Sequence, residues 1–501
     1  MTELLNQLDK KNLPELPRGW VWTRLSEVVD IRNGFAFKSS DYRDSGALLV
    51  RQSNLGHSKV NIDNAAYLPE AYLGKYPEFT VTKGAVLIGM SGSIGKLCLY
   101  NLDTAALQNQ RTGLLEFFEP DMKPYVWYYL NTLERSLTTM ARGVGVQNIS
   151  AAQIKSYPIS IPPLPEQHRI VAKIEELFTR LDAGVEALKK IKAQLKRYRQ
   201  AVLKYAFEGR LTKEWRQAHK DEIEPASIFL ERIKQERHKT AKAKYKELPP
   251  LDTADLSDLP EGWVWAKVGE IGLVETGNTP SKSQAAYYGR DYNFYKPTDL
   301  NAGYYTRESE DGLSSEGIKK ARLLPERSIL ITCIGATIGK TGFIRQRGAS
   351  NQQINAIIPD RNMLPEFLYF ICISPQFQNG ILSNASATTL PILSKRKFEV
   401  LELPLCPILE QHQAVEEIER RFSVADQIER TVDHSLKQAE RLRHSILRRA
   451  FEGKLVPQDP NDEPAEKLLE RIRQERARQQ AEPKPAKSSR NKSNTKQMRL
   501  V

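Results

Sequence analysis

The chain has 501 residues, of which 40% are hydrophobic, and its 74 Lys and Arg residues outnumber 61 Asp and Glu residues to give a formal net charge of +13. No apolar run approaches the ~20 residues that cross a bilayer, and the amino terminus lacks the apolar stretch of a secretion signal, so we expect neither a membrane protein nor a secreted one. The positive charge favours a nucleic-acid partner, because no basic amphipathic membrane anchor stands out. Four cysteines without a Cys-x-x-Cys pair predict reduced thiols in a cytoplasmic protein.

The sequence is internally duplicated. Leu-Pro-x-Gly-Trp begins at Leu16 and returns 243 residues later at Leu259, and Ala-Phe-Glu-Gly begins at Ala206 and returns 244 residues later at Ala450. This period is too long for a solenoid, whose units have roughly 20–50 residues. The repeat therefore predicts a duplicated module of several elements, with two related binding surfaces in one polypeptide.

Each half begins with a segment typical of a mixed α/β domain. In the first half, the apolar run 85–88 is bounded by turn residues and predicts a short strand, and 124–130 predicts an apolar helix that begins at proline. The second half repeats this pattern with a strand at 328–331 and a helix at 365–370. Short strands joined by Gly, Pro and Asn turns are expected throughout both segments.

Each globular segment is followed by a long proline-free stretch, 166–208 in the first half and 410–452 in the second. Apolar residues recur there at spacings of three, four or seven, which predicts two helices about 64 Å long with a heptad stripe. Gly209 and Gly453 supply the helix stops. A narrow stripe needs a partner, so we expect an antiparallel pair around a pseudo-twofold axis. The alternative is that each helix packs on its own globular neighbour, which it would overhang.

No catalytic constellation is found in the sequence. Gly335 and Gly339 are separated by three residues, whereas a nucleotide-binding phosphate loop needs four between its glycines. His168 and His412 occupy equivalent places at the helix starts, but no Cys or second His lies at metal-ligand spacing, so structural capping or an inter-helix contact is expected rather than catalysis. No methyltransferase motif and no nucleophile elbow occur.

Both halves carry polar clusters at equivalent places, one after a repeated Ile-Gly-Lys turn and one before it. Asn, Gln, Arg and Lys are the side chains that contact base edges or phosphates, so the clusters predict nucleic-acid binding. Ordinary loop polarity is the alternative for each residue, and a structural turn is the alternative for Ile-Gly-Lys. The candidate DNA-binding residues are Arg51, Gln52, Asn54, Ser93, Lys96, Asn109, Gln110, Arg111, Lys296, Thr298, Asn301, Thr337, Lys340, Asn351, Gln352 and Gln353.

The order of these motifs, present twice, resembles the specificity (S) subunit of Type I restriction-modification enzymes. The likeness covers nearly the whole chain, and it departs modestly where 33–35 stands in place of 277–279 and where 404–409 lacks the Pro-Pro-Leu-Pro of the first half. The residues that carry it are Leu-Pro-x-Gly-Trp at 16–20 and 259–263, Gly-Asn-Thr-Pro at 277–280, Ile-Gly-Lys at 94–96 and 338–340, Pro-x-x-x-Pro-Pro-Leu-Pro-Glu-Gln-His at 158–168, and Ala-Phe-Glu-Gly-[Arg/Lys]-Leu at 206–211 and 450–455.

The resemblance implies a non-catalytic subunit whose two target recognition domains each bind one half of an asymmetric bipartite sequence in double-stranded DNA. It also implies that the helices set the spacer and dock two modification (methyltransferase) subunits. Those partners carry S-adenosylmethionine, and restriction (endonuclease/translocase) subunits carry ATP and magnesium, whereas this chain binds no cofactor or metal and contacts no membrane.

The expected fold class is α+β: two mixed α/β target recognition domains separated by two long helices that form an intramolecular antiparallel coiled coil with pseudo-twofold symmetry. The expected division is an amino-terminal extension (1–12), the first recognition domain (13–160), a central helical spacer (161–237), a linker (238–256), the second recognition domain (257–403), a carboxy-terminal helical spacer (404–480) and a disordered basic tail (481–501).

Two alternatives from other functional classes remain open. A duplicated helical scaffold or adaptor would bridge proteins without sequence-specific DNA binding, and salt-dependent binding to a defined duplex compared with a scrambled one separates the two. A self-contained methyltransferase or nuclease would need a cofactor motif that the sequence lacks.

Overall fold

In the computed structural model of the chain, the described residues are 13–56, 58–142, 148–241, 248–251, 256–386 and 390–481. The predicted amino-terminal extension, nearly all of the predicted basic tail and most of the predicted linker lie outside these residues. The chain forms two compact units, Met1–Glu186 with Leu436–Val501 and Ala187–Ser435. Each unit contains one globular domain and part of each long helix.

In its described residues the first domain has short strands and three α-helices, because short apolar runs alternate with turn residues. Its strands are β1 (Val21–Arg24), β2 (Val29–Asn33), β3 (Ala47–Val50), β4 (Ser58–Lys59), β5 (Ala66–Leu68), β6 (Thr80–Val81), β7 (Val86–Gly89), β8 (Leu97–Leu99), β9 (Ala106–Gln108), β10 (Thr112–Phe117) and β11 (Pro158–Ile161), and its helices are α1 (Ala71–Lys75), α2 (Lys123–Arg142) and α3 (Ala151–Lys155). One sheet has the order β2-β10-β7-β8-β4, a second has the order β5-β3-β9-β6, and β1 pairs with β11. The strand predicted at 85–88 is the fully buried β7, and the predicted apolar helix is α2.

The central helical region contains α4 (Leu164–Phe207), α5 (Lys213–Ala218) and α6 (Ala226–Ala241). Helix α4 has 44 residues and is therefore about 66 Å long. It begins two residues before and ends one residue before the predicted bounds. Gly209 follows with a φ of +68°, the left-handed conformation that ends a helix and that glycine adopts without strain.

The second domain repeats the architecture of the first. Its strands are β12 (Val264–Lys267), β13 (Gly272–Thr276), β14 (Tyr288–Tyr295), β15 (Asp311–Leu313), β16 (Ile329–Thr332), β17 (Thr341–Phe343), β18 (Gly348–Ser350), β19 (Ile354–Pro359) and β20 (Glu402–Leu405), and its helices are α7 (Val268–Ile271), α8 (Pro365–Cys372), α9 (Pro375–Asn384) and α10 (Lys395–Glu399). The sheets have the orders β13-β19-β16-β17 and β15-β14-β18, and β12 pairs with β20 as β1 does with β11. The predicted strand and helix of this half are β16 and α8.

The second long helix, α11 (Ile408–Phe451), also has 44 residues, and the shorter α12 (Ala465–Ala481) follows it. In the second unit, α4 contacts α11 through the ion pairs Lys192–Asp433 at 2.7 Å and Arg199–Asp426 at 2.6 Å. The position on α4 rises by seven residues between these pairs while the position on α11 falls by seven. The two helices are therefore antiparallel in heptad register, which confirms the predicted coiled coil.

Each globular domain is completed by a short helix from the other half of the sequence. In the first unit, α12 buries Ile472 in the core of the first domain, and Arg473 forms an ion pair with Glu27 at 2.9 Å. In the second unit, α6 buries Ile233 in the core of the second domain, and Lys234 forms an ion pair with Glu270 at 3.2 Å. The compact units therefore do not follow the order of the chain.

Candidate nucleic-acid interface

The first copy of the Leu-Pro-x-Gly-Trp motif joins the first domain to the start of α4 and to the end of α11. The indole Nε1 of Trp20 donates a hydrogen bond to Glu166 Oε2 at 3.0 Å, at the start of α4. The side-chain amide of Gln458 donates to Glu166 Oε1 at 3.2 Å. A Cβ placed on Gly453 would stand 2.3 Å from Pro17, so the stop of α11 packs tightly on the motif. Burial raises the pKa of the Glu166 carboxyl.

The second unit contains the equivalent joint, in which the glutamate also accepts from a charged guanidinium. Trp263 Nε1 donates to Glu410 Oε2 at 2.9 Å, while Thr212 Oγ1 and Arg216 Nε donate to Glu410 Oε1 at 2.6 Å and 2.9 Å. The Glu410 side chain is fully buried. A Cβ on Gly209 would stand 2.4 Å from Pro260, which matches the contact between Gly453 and Pro17. The Leu-Pro-x-Gly-Trp motifs and the glycines after the long helices are therefore structural.

At each helix start, the residue before the histidine binds the segment that leads into the helix. Gln167 is buried and donates to the Pro162 carbonyl at 3.0 Å, and Gln411 is buried and donates to the Cys406 carbonyl at 3.0 Å. The two repeat-equivalent histidines are exposed. Among the described residues, no group of His, Cys, Asp or Glu side chains is placed to hold a metal ion.

The polar clusters of the first domain meet at one edge, which we call the first polar edge and define as 51–54, 91–96 and 109–111. Strands β3 and β9 are parallel, so the segments that follow them leave at the same edge. The Asn109 amide donates to the Val50 carbonyl at 3.0 Å. Strand β10 begins beside the end of β7, which brings the Ile-Gly-Lys turn there, and Ser93 Oγ lies 3.5 Å from the Gln52 carbonyl.

The side chains of the first polar edge differ in their availability to a ligand. Asn54 is fully buried, and its side chain accepts from the Arg51 amide at 3.1 Å and donates to the Asn61 carbonyl at 3.0 Å. Both polar groups of the Asn54 side chain therefore hold the loop. Among the remaining candidates, Arg51, Gln52, Ser93, Lys96 and Asn109 are half-buried, and Gln110 and Arg111 are exposed.

The clusters of the second domain meet in the same way at the second polar edge, defined as 296–301, 335–340 and 351–353. Strands β14 and β18 are parallel, and the turn after β16 joins them at that edge. Lys340 Nζ donates to Asn301 Oδ1 at 2.8 Å, so two predicted contact residues bind each other. Lys296 is ion-paired with Asp311.

The second polar edge also contains a buried side chain that is bonded within its own loop. Asn351 donates to Gln353 Oε1 at 2.9 Å and so stabilises the loop. Gln352 is exposed and accepts from the Thr279 hydroxyl at 2.6 Å. Of the other candidates, Thr298, Asn301 and Thr337 are exposed, whereas Lys296, Lys340 and Gln353 are half-buried.

Repeat-equivalent glycines bring a further segment to each edge that the polarity of the sequence did not single out. A Cβ on Gly34 would stand 2.3 Å from the Asn109 carbonyl oxygen, and one on Gly277 would stand 2.2 Å from the Asn351 carbonyl oxygen. Only glycine permits this approach. The next residues, Phe35 and Asn278, therefore lie at the edges, and the repeated glycine was the signal that could have located them.

A last segment returns to each edge after the helices that follow the sheets. Asn148 forms a β-bridge with Ser91 in the first domain, and Ile392 forms one with Ile334 in the second. Asn148 and Ile392 are 244 residues apart and are both exposed. The segment after Ile392 leads into α10, whose first turn contains the exposed Arg396. Sequence polarity missed this segment because its bridged residues lie 148 − 91 = 57 and 392 − 334 = 58 positions from their partners in the turn.

Comparison with known proteins places the chain in a family. The family described as "Type I restriction modification DNA specificity domain" matches residues 17–197 and 260–438. The chain is 28% identical over 496 residues to the EcoBI specificity subunit of Escherichia coli, over 95% of this chain and 96% of the relative. It is 25% identical over 495 residues to the EcoKI specificity subunit of Escherichia coli strain K12, over 92% and 97%.

A solved structure described as "Structural basis underlying complex assembly and conformational transition of the type I R-M system" aligns with a TM-score of 0.60 at 18% identity. The alignment covers 88% of this chain and all of that chain, which shows a shared fold. One family match falls in each half, and together they span most of the sequence. The chain therefore belongs to the Type I restriction-modification DNA specificity family. Its role is that of a specificity subunit, which recognises DNA and is not catalytic.

Within the described part of the chain, no helix is long and apolar enough to cross a membrane.

Proposed function

We propose that the first and second polar edges each bind one half of a bipartite DNA target. Equivalent strands bring equivalent loops to each edge, and this repeated placement is the observation that carries the proposal. The proposed contacts are Arg51, Gln52, Ser93, Lys96, Asn109, Gln110 and Arg111 at the first edge and Lys296, Thr298, Asn301, Thr337, Lys340, Gln352 and Gln353 at the second.

The two half-sites should differ in sequence, so the target is not palindromic. Equivalent positions at the two edges hold side chains of different chemistry, as Phe35 and Asn278 do after the repeated glycine. Hydrogen-bonding side chains specify bases, whereas lysines and arginines that meet phosphates position the protein without reading sequence. Arg111 and Lys340 are suited to the second task, and Gln110 and Gln352 to the first.

We also propose that the long helices set the spacer and dock two modification subunits. Ile191, Tyr198 and Tyr205 recur every seven residues along α4, and each is 37–45% exposed although the helix already contacts α11. Exposed apolar side chains at heptad spacing suit a partner helix. In such a complex, S-adenosylmethionine belongs to the modification subunits, and ATP and magnesium belong to restriction subunits. The assembly acts on DNA in the cytoplasm.

The direct test is a methylation map of host DNA with and without this chain, together with its modification subunits. We expect a single bipartite motif with unlike halves that disappears when the chain is absent. Changing Gln110 to Ala should alter only one half of the motif, and changing Gln352 to Ala should alter only the other. Glu261→Gln, an exposed change in the joint of the second unit, serves as the control and should leave both halves intact.

A scaffold without DNA specificity predicts a different result. In that case the assembled complex would bind the mapped duplex and a scrambled duplex equally at every salt concentration, and the methylation pattern would not depend on Gln110 or Gln352. Specific binding should exceed non-specific binding by at least 10³-fold, a ratio that is typical of site-specific DNA-binding proteins.

A further inference from the structure

Position 392 of the second domain and its equivalent, position 148 of the first, are held at their polar edges by the same backbone pairing. Ile392 forms an antiparallel bridge with Ile334, and the amide of Gly335 donates to the Pro391 carbonyl at 3.0 Å. In the first domain, the Asn148 bridge with Ser91 repeats the arrangement. The side chains are an amide in one domain and a branched hydrocarbon in the other.

The backbone around Ile392 is fixed on both sides. The Ile392 amide donates to Ser386 Oγ at 3.1 Å. The next residue, Leu393, is buried, and its amide donates to the Cys333 carbonyl at 2.8 Å. Ser394 then caps α10 by accepting from the Lys397 amide at 3.4 Å. The direction of the Ile392 side chain is therefore set by the fold.

The Ile392 side chain is 42% exposed although a buried residue follows it directly. It lies at the turn that begins with Gly335, where the side-chain Nε2 of Gln353 and the Cδ1 of Leu390 each stand 3.8 Å from the Cβ position of that glycine. Exposed Thr337 belongs to the same turn, and exposed Arg396 lies four residues after Ile392 along the chain, in α10. An apolar group thus stands among side chains suited to base edges and phosphates.

The major groove of DNA offers one apolar group to such a side chain. Every base pair presents hydrogen-bond donors and acceptors there, and thymine adds its C5-methyl group. An isoleucine in that groove gains contact area only against the methyl, whereas an asparagine such as Asn148 can bond to a base edge. Positive charge nearby favours the duplex over an apolar protein partner at this position.

We propose that Ile392 is a specificity-determining residue that contacts the C5-methyl group of a thymine in the half-site bound by the second domain. The inference rests on the proposed function, because it assumes that the second polar edge faces DNA. Asn148, at the equivalent position of the first domain, makes no methyl contact and selects its base by hydrogen bonding.

The test uses the assembled complex and the mapped target, with each thymine of the second half-site replaced in turn by 2′-deoxyuridine. This replacement removes the methyl group and keeps Watson–Crick pairing. At one position we expect Kd to rise about fourfold, which corresponds to ~0.8 kcal/mol for one buried methyl group. Ile392→Ala should abolish this sensitivity, and Ile392→Val should keep most of it. Asn148→Ala, the matched variant in the other domain, should leave it unchanged.

Three results would overturn the proposal: a second half-site without thymine in either strand, tolerance of deoxyuridine at every position, or undiminished sensitivity in the Ile392→Ala complex. Folding of the two Ile392 variants is checked through the first half-site, whose discrimination should stay at the wild-type level. Folding of the Asn148→Ala variant is checked through the second half-site in the same way. If the proposed function itself fails, the wild-type complex will not distinguish the mapped duplex from a scrambled one, which is a different outcome from tolerance of deoxyuridine.

Discussion

Deleting one heptad from each long helix should shorten the spacer of the DNA target and leave both half-sites unchanged. Removing 183–189 from α4 and 434–440 from α11 takes out the same length on both helices and preserves the heptad phase. The pairs that flank the deleted segments are Asp182–Arg443 on one side and Lys192–Asp433 on the other. Both pairs can form again after the double deletion, so the coiled coil should survive.

The size of the effect follows from helix geometry. Seven residues at ~1.5 Å each remove about 10 Å from each helix, and ten base pairs of duplex span about 34 Å, so the deletion corresponds to about three base pairs. A tilt between the helices and the duplex would reduce this, so we expect a spacer shorter by about one to three base pairs. Methylation mapping measures spacer and half-sites in the same experiment.

The matched control removes the heptad from α4 alone. The two flanking ion pairs then cannot form together, because ten residues on α11 would face only three on α4. We expect this variant to lose the coiled coil and all site-specific methylation. An unchanged spacer in the double deletion would refute the proposal that helix length sets the spacer length. Altered half-sites would refute the proposal that the globular domains alone determine the half-site sequences.

Three further predictions concern single residues. Arg216→Gln should lower the free energy of unfolding by about 3–5 kcal/mol in calorimetry, because it leaves the buried Glu410 carboxylate without its cation. Arg210→Gln, at the exposed pair with Glu208, should change it by less than about 1 kcal/mol. Equal effects would contradict a stabilising role for the Arg216–Glu410 pair. Asn54→Ala should lower the free energy of unfolding by about 1–3 kcal/mol, because it leaves buried backbone groups without partners, and Gln110→Ala should barely change it. The reverse order would contradict a structural role for Asn54 and an outward-facing role for Gln110. Burial raises the pKa of the Cys98 thiol to about 11, so the reactive thiolate is scarce at pH 8, and alkylation should be about 100-fold slower than in urea; equal rates would show an accessible thiol.

The long helices were predictable because their signals are local. The heptad stripe, the acidic residue in the first turn and the glycine after the last turn all lie within the helix or next to it. The grouping of α12 with the first domain was not predictable in the same way. Its contact between Arg473 and Glu27 joins residues 446 positions apart, and no pattern within α12 indicates which domain it completes.

The polar edges were predictable as clusters but not as side chains. Segments that follow parallel strands leave a sheet at the same edge, so the clusters had to meet once the strands were placed. Whether a side chain faces outward depends on hydrogen bonds within its own loop. The Asn54 side chain bonds to two backbone groups of its loop, whereas the Gln110 side chain is exposed. Both are polar amides, so the amino-acid type alone does not distinguish them. The sequence analysis missed Phe35 and Ile392 because it selected only polar side chains as candidate DNA contacts.

The joints position the domains and the polar edges carry the proposed DNA contacts. This separation explains how a duplicated chain can bind an asymmetric target. The joint repeats chemically: Trp20 and Trp263 each donate to a buried glutamate at the start of a long helix, and a glycine after the other helix packs on the adjacent proline. The edges repeat only in backbone, since the same β-bridge presents Asn148 in one domain and Ile392 in the other. A substitution at the edge touches neither the buried carboxylate nor the helix stop. Recognition in one half can therefore change without disturbing the fold that positions it.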